Sequence, residues 1–248
     1  MKMNIPLMWA FFAFVMIAST GFAQTKEKIE KANAKGNVVF LAVTDGVKLL
    51  AQTKEMADKA QKKYQKSEVI TLDKSDKTNA ALVSKYGLAG AHEPVILVIA
   101  PNGVVAGGSL LSRATPEDLV ETIPTKKQAA ALLAFSEGKP AFIVLFKKSM
   151  KDKAAAMEEC RRATTGLNGK AVIVDIDLDD KKEAGFLDLL KPEMTATTTH
   201  VIVFNAKGQF TDELNTPFQS SALIAASKKV VKSGCAPGAC GSSGCGPK

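Results

Sequence analysis

The sequence predicts an α/β protein made of two similar units, each a mixed sheet flanked by helices. Three observations carry this reading. Short apolar, largely β-branched runs such as Val38–Val43, Val95–Ile99 and Ala171–Ile176 have the composition of buried strands. The segments between them are rich in Lys and Glu and keep apolar residues at helical spacing, as Leu49, Met56, Ala60 and Tyr64 do. The order strand, helix, strand, helix, strand, strand, helix then occurs twice, with matching features roughly 100 to 105 positions apart. Asp73 matches Asp177, Gly103 matches Gly208, and Thr115-Pro116 matches Thr216-Pro217.

Residues 1–23 read as an export signal. Lys2 gives a positive start, Pro6–Thr20 is nearly unbroken apolar sequence, and Gly21-Phe22-Ala23 supplies small residues for cleavage before Gln24. An uncleaved anchor is the competing reading, because the run approaches the ~20 residues that span a bilayer. Either way the body is expected outside the cytoplasm, periplasmic or secreted, where disulfides are permitted. A membrane enters only if the signal stays attached.

The first unit, 24–124, opens with a helix over Thr25–Lys35, closed by Gly36. A strand over Val38–Val43, a helix over Val47–Lys66 and a strand over Val69–Leu72 follow. Next come a helix over Asn79–Tyr86, a strand over Val95–Ile99 and a second hairpin arm over Val104–Gly107. Thr115 then caps a last helix with Pro116 in its first turn, stopped by Pro124. The second unit, 125–233, has helices at Thr125–Glu137, Met150–Ala163 and Ala184–Leu190 and a final helix begun by Thr216-Pro217. Its strands are Ala141–Phe146, Ala171–Ile176 and Val201–Asn205, with a turn at Lys207-Gly208. The short junction predicts that the units pack together.

Composition narrows the function. An apolar fraction of 46% fits a globular protein. The formal charge of +8 is spread over helix faces, and aromatics are only 6%, so a nucleic-acid partner is not expected. The chain contains no phosphate loop, nucleophile elbow or paired-carboxylate motif.

One stretch identifies a family. Lys85–Gly103 reads KYGLAGAHEPVILVIAPNG: a helix ending Tyr-Gly-Leu, a short loop to Pro94, a buried strand and an Asn-Gly turn. This resembles the thioredoxin superfamily, so the fold expected is two tandem thioredoxin-like domains followed by a disordered Cys/Gly-rich tail, 234–248. The resemblance makes Pro94 the candidate cis-proline. It also implies a Cys-x-x-Cys after the first main strand, where a helix N-terminus stabilises the attacking thiolate. Here those positions read Thr44-Asp45-Gly46-Val47-Lys48 and Lys147-Lys148-Ser149-Met150. Neither contains a cysteine, and without sulfur there is no exchange. In the second unit Thr199 stands where Pro94 stands in the first.

Other chemistry-bearing residues are few. Cys160, inside a helix, reads as a small buried apolar residue, with a reactive thiol as the rival. His92 and His200 fall near matching positions and read as ordinary structural histidines rather than ligands; Asp45 and Asp73 read as loop and strand-end carboxylates. The tail, Ser233–Lys248, reads SGCAPGACGSSGCGPK. Cys235, Cys240 and Cys245 are evenly spaced among Gly, Ala, Pro and Ser, and three converging thiolates suit a soft ion such as Cu(I). A disulfide-exchange role and a plain flexible tail remain open. The functional expectation is an exported, protein-binding scaffold without dithiol catalysis, its tail carrying a soft metal. The rivals are a periplasmic thiol-disulfide oxidoreductase using the tail cysteines, and a non-catalytic adaptor or chaperone.

Overall fold

The computed structural model describes residues 24–231. In the first unit α1 (Gln24–Ala34) precedes β1 (Val38–Thr44), α2 (Leu50–Lys63), β2 (Ser67–Asp73) and α3 (Ala80–Lys85). A hairpin of β3 (Val95–Ile99) and β4 (Val105–Leu110) follows, then α4 (Pro116–Glu121). The second unit repeats the order: α5 (Lys126–Ser136), β5 (Ala141–Phe146), α6 (Lys153–Gly166), β6 (Val172–Asp177), α7 (Ala184–Leu190), β7 (His200–Phe204), β8 (Phe210–Asn215) and α8 (Ser220–Ser227).

Each unit has one four-stranded sheet, ordered β2-β1-β3-β4 and β6-β5-β7-β8. β1 lies parallel to β2 and antiparallel to β3; β5 lies parallel to β6 and antiparallel to β7. The inner strands β1 and β5 are buried at every residue. That is why their sequences are continuous apolar runs: a strand covered on both faces has no polar side to alternate with.

Alternation along the strands divides each core in two. Val39, Leu41 and Val43 of β1 face α1 and α3, packing with Ile29, Ala32 and Leu82. Val38, Phe40 and Ala42 face α2 and α4, packing with Ala57, Ala60 and Leu119. In the second unit Ile143 and Leu145 meet Ala131, Phe186 and Leu187, while Phe142 and Val144 meet Cys160, Ala163 and Leu223. The two hairpin turns need Gly103 and Gly208, whose φ angles are +83° and +70°.

The units touch through the first hairpin and α5. Ala100 and Val104 pack on Ala129, and Asn102 Nδ2 donates to the Ala129 carbonyl at 2.7 Å. Thr125 caps α5 by accepting from the Gln128 N–H at 3.1 Å.

Several expectations are corrected. α2 begins at Leu50 rather than Val47, and α6 at Lys153 rather than Met150. Thr216-Pro217 does not begin the last helix, which starts at Ser220. The Thr216 N–H instead donates to the Thr199 carbonyl at 3.0 Å, continuing the β7–β8 ladder. Its counterpart is therefore Leu111, whose N–H donates to the Pro94 carbonyl at 2.8 Å, and not Thr115. The Glu93–Pro94 bond is not cis; among the described residues the cis bond is Thr216–Pro217. Trans is the ordinary isomer of an X–Pro bond. The loop Ala91–Glu93 reaches β3 without the other, held by Lys74 Nζ on the Ala91 carbonyl and by Ser112 Oγ on Glu93. The expected signal segment, 1–23, and the tail cysteines lie outside the described residues.

Candidate functional site

The connection after the first inner strand is where the resemblance implies reactive groups. In the first unit it runs from Thr44 to the start of α2. Its anchor is Asp73, at the end of the neighbouring strand. One carboxylate oxygen accepts from the Gly46 N–H at 2.8 Å and from the Ser75 N–H and hydroxyl at 2.9 and 2.7 Å. The Gly46 N–H above all, with the two Ser75 donors, outweighs burial and holds Asp73 below the usual carboxylate range. Asp73 is thus a structural clamp, and Asp45 is exposed, 3.9 Å from Lys74 Nζ.

Beyond the clamp the loop presents apolar side chains. Val47 is 88% exposed and Leu49 37%. Leu49 sits at φ +63°, a left-handed conformation that costs a non-glycine residue energy. The Leu49 carbonyl accepts from the Thr53 N–H and hydroxyl at 2.9 and 2.8 Å, which fixes this conformation onto the first turn of α2. The loop carries no cysteine. His92 is exposed in the loop before Pro94.

The equivalent connection in the second unit is built differently. The Lys147 N–H donates to the sulfur of buried Met150 at 3.1 Å, curling the loop inward. Asp152 stands at the α6 N-terminus, yet makes no side-chain cap on that helix. Its carboxylate reaches across instead. It accepts from the Thr199 N–H at 3.0 Å, the Thr199 hydroxyl at 2.9 Å and the Thr216 hydroxyl. Burial alone raises its pKa, but the hydrogen bonds from Thr216 and Thr199 outweigh that and leave it lowered.

Nothing in the residue pattern points to this cluster. Its partners lie 47 and 64 residues away along the chain, and only the β7–β8 ladder brings them together. Thr199 does occupy the place of Pro94, as the turn spacing predicts: each is the residue before its strand, and each carbonyl accepts the last ladder bond.

With four strands in the order 2-1-3-4, one parallel pair, an antiparallel hairpin and helices on both faces, the architecture is settled. Both units are thioredoxin-like folds. No family model matches the chain, and no curated protein matches it in sequence. Among solved structures it is similar to the first two thioredoxin domains of Naumovozyma dairenensis Eps1p, at 10% identity and TM-score 0.31, over 86% of this chain and 96% of that one. It is also similar to the NTD_N/C domain of the Enterococcus faecalis alkylhydroperoxide reductase AhpF, at 13% identity and TM-score 0.26, over 81% and 96%. A third is the zinc-bound form of human ERp44, at 12% identity and TM-score 0.32, over 81% of this chain and 57% of that one. The thioredoxin-like fold rests on the strand order and register of each sheet.

The remaining candidates separate cleanly. His200 does not share the position of His92: it is the first residue of β7, opposite Leu145 and Asn215, and fully buried. Neither ring nitrogen has a hydrogen-bond partner, and Nε2 lies 3.4 Å from Glu213 Oε1. No group of three His, Cys, Asp or Glu residues among the described residues is arranged to hold a metal. Cys160 is fully buried among Phe142, Val144 and Leu223, and burial pushes its thiol up to about 12. Such a thiol is inert at neutral pH. In a variant carrying Cys235→Ser, Cys240→Ser and Cys245→Ser, Cys160 is the one thiol left. It should not react with Ellman's reagent at pH 8 until denaturant is added; prompt labelling of the native protein would show that α6 opens.

Proposed function

We propose that the chain is an exported binding protein in which two thioredoxin-like units form a scaffold for a protein partner, without dithiol chemistry of their own. In this reading residues 1–23 are the signal, 24–124 and 125–233 the two domains, and the body works in the periplasm or beyond. The tail 234–248 then carries a soft metal, Cu(I) being the ion best suited to the thiolates of Cys235, Cys240 and Cys245.

The observation that carries the scaffold reading is the first connection itself. It is clamped by Asp73 and offers exposed Val47 and Leu49 where a redox enzyme needs a thiolate. Apolar side chains held outward on a fixed loop suit a contact surface.

Two assays on the full chain test the reading. Insulin reduction with dithiothreitol should run no faster with the protein than without it. Turnover that disappears on Cys235→Ser, Cys240→Ser or Cys245→Ser would establish the tail as a redox centre instead. Competition for Cu(I) against a chromophoric chelator should show tight binding that is lost on truncation after Gly234. Unchanged affinity after that truncation would sink the metal assignment.

A further inference from the structure

β2 is an outer strand of the first sheet, so half of its backbone groups point away from β1. The Val38 N–H donates to the Lys66 carbonyl at 3.1 Å, and the Lys74 N–H to the Thr44 carbonyl at 2.8 Å. Alternation between these two bonds turns Glu68, Ile70 and Leu72 toward β1, and Ser67, Val69, Thr71 and Asp73 outward. At the ends of the outward row, side chains occupy the carbonyls. Gln61 Nε2 donates to that of Ser67 at 2.9 Å, and Asn79 Nδ2 to that of Asp73 at 2.9 Å. Between them, the N–H and C=O groups of Val69 and Thr71 have no partner among the described residues.

The other outer strands differ at this place. In β6, Asp175 matches Thr71 in the repeat and pairs with Lys153 at 2.9 Å. In β8, the Glu213 N–H donates to Asp212 Oδ1 at 3.1 Å. Charge on an outer strand keeps further strands away. On β4 the open row is shorter, because the Leu110 carbonyl already accepts from the Arg113 and Ala114 N–H groups and the pairing with β3 is irregular at Val98/Ile99. Val69 and Thr71 are uncharged, and the Thr71 side chain is exposed.

We infer that β2 pairs with β2 of a second copy of this chain, antiparallel across a two-fold axis. Val69 then lies opposite Thr71 of the second copy and Thr71 opposite its Val69, with Ile70 facing Ile70 between them. Residues opposite one another in this way exchange both N–H···O bonds. The open groups of Val69 and Thr71 are thus all matched in both copies, and the two four-stranded sheets join into one. The occupant is a second copy because the set of open groups is complementary to itself under that rotation. The pairing also closes the edge in both molecules at once and leaves none for a further copy. No like charges meet at its centre, since the next pair outward sets Glu68 opposite Leu72. The pairing needs neither the tail nor a metal, so it stands or falls apart from the function proposed above.

Sedimentation equilibrium of the mature chain, Gln24–Lys248, tests it, under reductant so that the tail thiols cannot link copies. The mass should rise from monomer toward dimer, and no further, as the protein concentration is raised to about 1 mM, the range of a weak specific contact. Thr71→Pro removes an outward N–H where an outer strand tolerates proline. It should weaken the dimer about tenfold or more, because the axis makes the loss of a hydrogen bond occur twice. Thr71→Lys leaves the backbone whole and adds a charge, as β6 does, and should also weaken the dimer. Thr71→Ser should leave it unchanged. Amide exchange at Val69 and Thr71 should slow as the dimer forms. A monomer throughout overturns the inference and leaves the edge to a strand of another protein. So does a dimer that both Thr71→Pro and Thr71→Lys leave intact, since it would use another surface.

Discussion

Phe142→Ala is expected to destabilise the second unit by about 3–5 kcal/mol, the usual cost of emptying a buried aromatic site. Phe142 is fully buried in β5, held between β6 and β7. Its ring faces Val144, Cys160, Ala163 and Leu223. Neither flanking strand can close the gap without breaking its ladder, and the small Cys160 and Ala163 cannot fill it. The cavity should therefore persist rather than collapse. The first unit has its own core, where Phe40 packs with Ala57, Ala60 and Leu119.

Between the units lie a small apolar contact around Ala129 and the bond from Asn102. The loss should accordingly stay local. Hydrogen exchange of the Phe142→Ala protein should show reduced protection in β5, β6 and β7, with β1 and β3 unchanged. Equal loss in both sheets would mean that the two units unfold as one.

The fold was legible because its inner strands are covered on both faces. Full burial forces β1 and β5 into unbroken apolar runs, and such runs stand out in a Lys-rich chain. The two hairpin glycines stand out for a similar reason, since their left-handed backbone limits the choice of residue.

The connections were less legible because apolar residues there do not follow helical burial. Val47 extends the helical pattern of α2, yet it points into solvent. Met150 extends the pattern of α6, yet its sulfur turns back to the Lys147 N–H. Thr216-Pro217 copies the cap-and-proline signature of Thr115-Pro116. At Thr115 the hydroxyl accepts from the Asp118 N–H at 3.1 Å and starts a helix. At Thr216 the hydroxyl donates to Asp152 instead. The same two residues thus carry opposite meanings, and the difference lies in a carboxylate 64 residues away. His200 shows the same limit: it falls near the position that matches His92, while strand pairing places it in the core.

Asp152→Ala should cost the second unit about 2–3 kcal/mol at pH 7, from hydrogen bonds to a charged acceptor and from donors left without one. Thr199 is fully buried, so its N–H and hydroxyl cannot turn to water when the carboxylate is gone. The pH dependence follows from the direction of the Asp152 shift. Its folded pKa lies below the ordinary carboxylate value. The charged form is therefore favoured by folding, and the stabilisation is complete above the unfolded pKa of about 3.9. It disappears as the pH falls through the folded value. Partial exposure of Asp152 keeps that electrostatic share modest. Urea unfolding at pH 7 and at pH 2.5 should show a gap between the native protein and Asp152→Ala that narrows in acid. A gap of constant size would mean that the side chain acts by shape alone. Thr216→Val separates the contributions further: it removes one donor and leaves both Thr199 bonds. The double variant Asp152→Ala, Thr216→Val should then be less unstable than the sum of the singles, because the two groups act through one shared bond.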